Sequence, residues 1–414
     1  MVPRKTCCSK APRVMRVLVL AQYFPPDMGG GSARASNVVK GLLSKGCEVT
    51  VVAAFPHYPH GKVSNEYRGK AVVSERFGSA KVFRVWIPSL PHSSPLRRVV
   101  LHFCFVVSSL FALPFVGGVD VVWAANPNLF CFLPAVVYGF VKQMPIVRNV
   151  DDLWPEVFYE LGYVKSKLAR KVLDFLAWLS YVVPVAVTPI SMGYKRRIVE
   201  KYGVSAGKVH VVEVGVDRVA PLDVDKNVGD RFVVMYSGVL GLGYDFDVVL
   251  EAAGCLAEHE DIVFVIRGVG ELAPSLQRRI SELSLENVVL DTRFLPREKL
   301  SALLGSADVF VLPMAGMSFV DDGLPTKVFE YQAYSKPIVC VSGGEPARYV
   351  KATMSGLVVK PKDAEGFVEA VVRLYEDRKL AAELGWNGRQ YVSENLTVEK
   401  IGEHMHGVLS SLKC

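Results

Sequence analysis

The sequence predicts an α/β protein of two doubly wound domains, each a mainly parallel sheet covered by helices. Short β-branched apolar runs recur along the chain, the pattern of strands buried on both faces. Helical spacings lie between most of them. The series starts twice, once near residue 14 and again at Arg231. A chain of 414 residues, half of them apolar, is long enough for more than one such core.

Residues 14–21, interrupted only by Arg16, read as a buried parallel strand. A Pro/Gly loop follows over 23–32, carrying Gly29-Gly30-Gly31. Residues 33–45 show helical spacing at Val38, Val39, Leu42 and Leu43 and stop at Gly46. A second strand occupies 48–54, which completes the β-loop-α-β opening of a doubly wound sheet. Further strands are expected at 80–86, 119–124, 146–150, 183–187 and 209–212. The second series places strands at 232–237, 262–267, 288–291, 309–312, 337–341 and 356–359. The expected domains are therefore 14–220 and 221–395, with a linker around 219–229. Residues 396–414 form a terminal helix that could pack back on the first domain.

Residues 99–141 contain a single charged residue, Asp120, and 99–119 contain none. A run of ~20 apolar residues meets the length criterion for a membrane span. Pro114, Gly117, Gly118 and the turn at 126–128 interrupt it, and a span needs an unbroken helix. The preferred reading is a helix to about residue 115, a strand at 119–124 and a helix from Leu129. Shallow burial of the helix after Arg97-Arg98 in a membrane interface is the companion reading.

The net charge of +7 conceals a split. Residues 1–220 hold 28 Lys and Arg against 13 Asp and Glu, whereas 221–414 hold 20 against 28. The first half thus suits an anionic surface, and a membrane or lipid-phosphate acceptor explains the split better than nucleic acid, for which no motif is found. The eight cysteines include no C-x-x-C pair, so neither a zinc site nor a disulfide framework is expected. The basic N-terminus has its apolar run broken by Arg16, which disfavours a cleaved signal peptide and fits a cytoplasmic location, peripheral to the membrane face at most.

The chemistry concentrates at 321–339, DDGLPTKVFEYQAYSKPIV. Leu324 and Pro325 end a turn, and Pro325 suits a first helical position. The amides near Thr326 and Lys327 then favour an anion, and Lys327 adds a positive charge. Glu330 lies one turn further in, placed to accept from a pair of hydroxyls. A phosphate beside a polyol describes a nucleotide sugar. Other loops follow strand ends, where ligands of open α/β sheets bind. Gly238 and Gly241 read as a backbone cradle for phosphate. Arg267 could pair with diphosphate or with a surface acid. Gly30 and Gly31 allow close backbone approach, without the spacing of a dinucleotide fingerprint. Asp151 and Asp152 follow the strand ending at Val150, as ligand contacts or as a helix cap. The basic cluster Lys195-Arg196-Arg197 reads as a solvated helix face.

Together these residues resemble a known family. Tyr23-Phe24-Pro25-Pro26, Phe55-Pro56-His57-Tyr58-Pro59, Asp152-Leu153-Trp154-Pro155-Glu156, Tyr236-Ser237-Gly238 and Gly323 to Tyr331 resemble, in order and spacing, the retaining GT-B glycosyltransferases of family 4. Within it they look most like the fucosamine-transferase-like group of envelope polysaccharide assembly. The resemblance implies two doubly wound Rossmann-like domains facing across a cleft. It implies transfer, with retention, from a nucleotide-sugar donor, here expected to be a UDP-sugar, to a lipid-linked or envelope glycan. The acid-x7-acid motif falls on Asp322 and Glu330, implying contact with the donor sugar and the ribose hydroxyls respectively. Asp151 stands near a histidine of many relatives. Many relatives carry an Arg and a Lys in the loop after the first strand of the second domain. Residues 238–247 have neither, and Tyr244 lies near the expected Lys, so Arg267 or Lys327 would neutralise the diphosphate. No cofactor or metal is expected. A non-hydrolysing nucleotide-sugar epimerase and a non-catalytic glycan-assembly scaffold are the alternatives.

Overall fold

The computed structural model describes residues 14–58, 60–90, 95–125, 129–160, 162–217, 220 and 231–412. The expected turn at 126–128, the linker around 219–229 and Pro59 of the resemblance lie partly or wholly outside these residues.

The first sheet contains β1 (Arg16–Ala21), β2 (Glu48–Ala54), β3 (Val72–Phe77), β4 (Ala80–Val85), β5 (Val121–Ala124), β6 (Ile146–Val150) and β7 (Ala186–Pro189). Helices α1 (Gly30–Ser44), α2 (Pro95–Leu110), α3 (Phe132–Lys142), α4 (Glu156–Glu160), α5 (Lys167–Val182) and α6 (Met192–Tyr202) accompany it. The strand order is β3-β4-β2-β1-β5-β6-β7. β1 pairs in parallel with both β2 and β5, so the winding reverses at β1 and the loop after it stands where such sheets bind ligands.

The second sheet contains β8 (Phe232–Ser237), β9 (Ile262–Arg267), β10 (Val288–Asp291), β11 (Val309–Pro313), β12 (Ile338–Val341) and β13 (Gly356–Val359). Its helices are α7 (Asp247–Cys255), α8 (Ala273–Glu282), α9 (Arg297–Gly305), α10 (Ser318–Asp321), α11 (Thr326–Ala333), α12 (Glu345–Ala352) and α13 (Ala364–Glu376). Two longer helices, α14 (Arg378–Asn395) and α15 (Val398–Ser411), close the chain. The order β10-β9-β8-β11-β12-β13 reverses at β8, the strand that feeds the Gly238 loop. This is the predicted α/β architecture, with two separate mainly parallel sheets.

The chain clusters into two compact units, residues 1–149 with 402–414 and residues 150–401. Within the first unit the end of the chain packs on α1. A Cβ at Gly402 would fall 2.4 Å from the Gly41 carbonyl, and Lys45 pairs with Glu403 at 2.7 Å.

Several local expectations are corrected. Residues 209–212 form no strand; Val209 makes a single bridge with Val187. The strand expected at 183–187 starts at Ala186 instead, because α5 runs on to Val182. β3 has no counterpart among the expected strands. It is antiparallel to β4 at the sheet edge, and its sequence, VVSERF, is nowhere fully buried: Ser74 and Arg76 are exposed and the other residues half-buried. The apolar stretch divides into α2, a short 3-10 turn at Leu113–Phe115, β5 and α3. Among the described residues no helix is long and apolar enough to cross a membrane.

Candidate functional site

The second unit places most of the sequence-predicted residues at the carboxyl ends of β8, β9 and β11. Gly238 follows β8 directly with φ 152°, a backbone region unfavourable to any side chain. Its amide donates to the Arg267 carbonyl at 2.9 Å, and Leu240 N–H donates to Val269 O at 3.0 Å. The two glycine loops therefore lie backbone to backbone. A Cβ at Gly268 would fall 1.6 Å from the Gly238 carbonyl oxygen, so no side chain fits there. Gly241 is sterically undemanding, since a Cβ there would meet only Val239, at 3.6 Å.

Helix α11 is pinned over this loop. The buried Tyr331 hydroxyl accepts from Ser237 N–H and donates to Ser237 C=O, each at 3.0 Å, while its ring stacks on Phe310 at 4.1 Å. Gln332 fastens the opposite side through Thr353 and Ser355. Loss of the Tyr331 hydroxyl would leave a buried amide unsatisfied, a cost of about 1–3 kcal/mol. Lys327 is one turn before Tyr331 and shares its face. Its stem crosses Gly238 so closely that a Cβ there would lie 1.8 Å from Lys327 Cε. Its ammonium donates to Tyr244 Oη at 3.0 Å and lies over the Tyr244 and Tyr236 rings, 4.7 and 5.6 Å from their centroids. Among the described residues no carboxylate pairs with Lys327.

Pro325, expected as the first helical residue, is instead the N-cap (φ −61°, ψ 137°), and Thr326 begins the helix. The change leaves the first amides, those of Thr326 and Lys327, without intrahelical acceptors. Leu324 is buried beneath the turn, and Glu330 is exposed on α11. Arg267 is committed elsewhere. Its Nη2 donates to the Arg293 carbonyl at 2.9 Å and its Nε stands 3.7 Å from Asp291. Of the two cations left open by the sequence, Arg267 meets Gly238 through its backbone carbonyl, whereas Lys327 lays its side chain across it.

The acids before α11 are engaged from α6, its N-cap Ser191 and the residue that follows β12. Asp322 Oδ2 accepts from Arg197 Nε and Nη2 at 2.9 and 2.6 Å, and its carbonyl accepts from Ser191 Oγ at 2.7 Å. Gly193 permits this approach, since a Cβ there would fall 2.3 Å from the Asp322 carbonyl oxygen. Asp321 accepts from Ser342 Oγ at 3.1 Å, and burial raises its carboxyl above the usual range. The cluster Lys195-Arg196-Arg197 is therefore more than a solvated face: Arg196 pairs with Glu345 at 2.7 Å and Arg197 with Asp322. Burial drives the Tyr194 hydroxyl well above its ordinary range, with Asp152, Asp151 and Asp322 adding to the shift.

In the first unit Gly30 and Gly31 are the opening residues of α1. The conformationally demanding glycine is Gly29, at φ 104°, where a Cβ would stand 3.2 Å from the Tyr58 ring. The preceding loop is tied down by Asp27, whose Oδ1 accepts from the amides of His57 and Tyr58 at 2.7 and 2.8 Å. Burial raises the Asp27 carboxyl to about 6 and lowers the His57 imidazole to about 4. Tyr23 stacks on His57 with centroids 5.2 Å apart. Sequence reasoning misses Gly29, Arg197 and the Lys327–Tyr244 contact as site features. Only Tyr244 leaves a signal, by standing near the Lys that the resemblance leads one to expect.

Residues 28–219 match the family model described as Glycosyltransferase Family 4, and residues 223–391 match that of Glycosyl transferases group 1. The GDP-mannose-dependent alpha-(1-6)-phosphatidylinositol monomannoside mannosyltransferase of Mycolicibacterium smegmatis is 30% identical over 406 residues, 95% of this chain and 98% of its own. WcaI of Escherichia coli K12, whose name assigns it to colanic acid biosynthesis as a glycosyl transferase, is 27% identical over 312 residues, 70% of this chain and 73% of its own. The solved sucrose-phosphate synthase from Thermosynechococcus elongatus superposes with a TM-score of 0.73 at 16% identity, covering 96% of this chain and 99% of that one. These relatives argue against the epimerase and scaffold alternatives. The chain belongs to glycosyltransferase family 4, has the GT-B fold and is a glycosyltransferase.

Proposed function

We propose that the enzyme transfers a sugar, with retention, from a nucleotide-diphosphate donor held by the second unit to a lipid-linked or envelope glycan. The carrying observation is the spacing around α11. A cation with no carboxylate partner among the described residues lies over a glycine turn at the helix start, and an exposed carboxylate follows three residues later. That order matches a diphosphate followed by a ribose diol. In this reading Lys327 and the amides of Thr326 and Lys327 take the diphosphate, beside the Gly238 and Gly241 backbone, and Leu324 and Pro325 shape the turn. Glu330 accepts from the ribose hydroxyls. Arg267 holds the neighbouring loop in place and is not itself the phosphate ligand.

Retention by front-face displacement asks for stabilisation of a leaving diphosphate more than for a protein nucleophile. The acceptor hydroxyl attacks from the leaving-group side, and the departing phosphate oxygen takes its proton. Asp322, oriented by Arg197, and Asp151 are assigned to donor-sugar hydroxyls. Membership of the fucosamine-transferase-like group is part of this proposal.

The lipid-linked acceptor draws support from the name of the mycobacterial relative and from the surface of the first unit. Phe103, Phe111, Phe115 and Phe140, on α2, α3 and the turn between α2 and β5, are 64, 61, 60 and 83% exposed. Such aromatic exposure beside Arg97 and Arg98 suits shallow contact with an anionic membrane. Co-sedimentation with anionic liposomes that weakens with salt is the expected result, and no binding at low salt would remove this part.

The test is a binding screen of UDP-sugars, the base expected from the sequence, beside GDP-mannose, the donor named for the mycobacterial relative. It is repeated with Glu330→Ala. Loss of affinity for the ribonucleotide in that variant is expected, and unchanged affinity would overturn the ribose assignment. Anomeric NMR of the product reads retention directly.

A further inference from the structure

We infer that Tyr244 positions the cation for the donor: its phenol holds the Lys327 ammonium over Gly238, where the ammonium meets the diphosphate. This rests on the donor reading above and names a residue that the reading does not require. Residues 238–247 contain no Lys or Arg, and the Arg267 side chain is turned to the β10 end, where Nη2 donates to the Arg293 carbonyl and Nε lies 3.7 Å from Asp291. A lysine arriving from α11 therefore supplies the charge, and a flexible four-carbon stem needs a fixed partner to hold it in one place.

Tyr244 is built to be that partner. Its amide donates to the Gly241 carbonyl at 3.1 Å, and it bridges in antiparallel fashion to Met314. Its ring meets Tyr236 edge-on at 5.3 Å. Tyr236 is no substitute, because its hydroxyl already donates to the Val239 carbonyl at 2.6 Å. Tyr244 Oη instead accepts from Lys327 at 3.0 Å, and it also shares a hydrogen bond with the Tyr236 hydroxyl, which fixes it in place. The Lys327 ammonium has two further protons for an anion. Ammonium and the turn at Gly238 thus converge on one anion, with the ammonium held, among the described residues, by the neutral phenol. A ring needed only for packing would call for Phe. The hydroxyl is what the pairing with Lys327 uses.

The experiment is calorimetric titration of wild type, Tyr244→Phe, Lys327→Ala and the double variant with UDP, GDP, UMP and GMP. Tyr244→Phe keeps the ring and its packing. It is expected to weaken the bound diphosphate about fivefold, the worth of one hydrogen bond, while the monophosphate changes by less than about twofold. In the Lys327→Ala background the Tyr244→Phe change should add less than about twofold, because the two groups act as a unit. Equal weakening of mono- and diphosphate, or independent effects in the double variant, would overturn the assignment and leave Tyr244 a packing residue. Wild type that binds neither diphosphate would sink the donor reading itself. Wild-type binding with an unaffected Tyr244→Phe variant would sink only the role of Tyr244.

Discussion

Gly238→Ala is the sharpest perturbation of the proposed donor site. The added Cβ would lie 1.8 Å from Lys327 Cε, 2.7 Å from Nζ and 3.1 Å from Cδ, where ordinary contact begins near 3.4 Å. The backbone of β8 and its loop is held by neighbouring strands, so the lysine yields. Its Cε must retreat by about 1.6 Å, the gap between those contact distances. A contact of 3.0 Å to Tyr244 does not survive that movement. A hydrogen bond from a charged donor is worth about 1.5–3 kcal/mol, which corresponds to roughly a ten- to hundredfold loss of diphosphate affinity. The φ of 152° adds a backbone cost on the order of 1–3 kcal/mol, felt in stability. Nucleotide titration and thermal unfolding should therefore both respond, the melting temperature by several degrees. Gly254→Ala, whose Cβ would meet only Leu285 at 3.7 Å, serves as the packing control. Wild-type diphosphate affinity in Gly238→Ala would refute the idea that Lys327 over Gly238 is the phosphate seat.

Three further outcomes follow from other contacts. Arg197→Ala and Asp322→Ala should lower kcat similarly and without adding in the double variant, at a stability cost of less than about 1 kcal/mol each, since the pair is partly exposed. Independent, additive losses would separate the two residues. Activity should survive EDTA, because charge stabilisation is assigned to Lys327 and backbone amides; a loss reversed by added divalent cation would contradict that assignment. The buried pair Asp27 and His57 predicts opposed pH effects on stability. His57, lowered to about 4, binds fewer protons folded than unfolded, so its term makes the fold more stable as pH rises from about 4 to its unfolded value near 6.5. Asp27, raised to about 6, binds more protons folded, so its term makes the fold less stable as pH rises from about 4 to about 6. His57→Gln should then lose stability over that window and Asp27→Asn should gain it, read from urea midpoints at pH 4.5 and 6.5. Flat profiles in both variants would count against the pair.

The two-sheet plan was legible because buried parallel strands leave a local mark. Runs such as Phe232–Ser237 and Ile262–Arg267 are buried at every position, so composition alone betrays them. β3 escapes notice because an edge strand buries little and resembles a loop in sequence. Residues 209–212 fail in the opposite sense: apolar composition promises a strand, and only Val209 finds a bridge partner. Pro325 shows a finer limit, since a fixed φ suits both the first helical position and the cap, and ψ decides between them. The site divides along the same line. Lys327 and Glu330 can be read together because one helix turn relates them. Arg197 with Asp322, 125 positions apart, and Lys327 with Tyr244, 83 apart, are juxtaposed only by topology. What the sequence does carry is an absence, the loop at 238–247 without Arg or Lys. That absence acquires a cause in the fold. Gly238 has no side chain, so a lysine from another element can lie across it, and the tyrosine standing near the expected lysine of the relatives is the residue that receives it. A cation carried on α11 instead of on the loop is tied to the same helix as Glu330, so the groups assigned to diphosphate and ribose move together as one rigid element, anchored by Tyr331 to the end of β8.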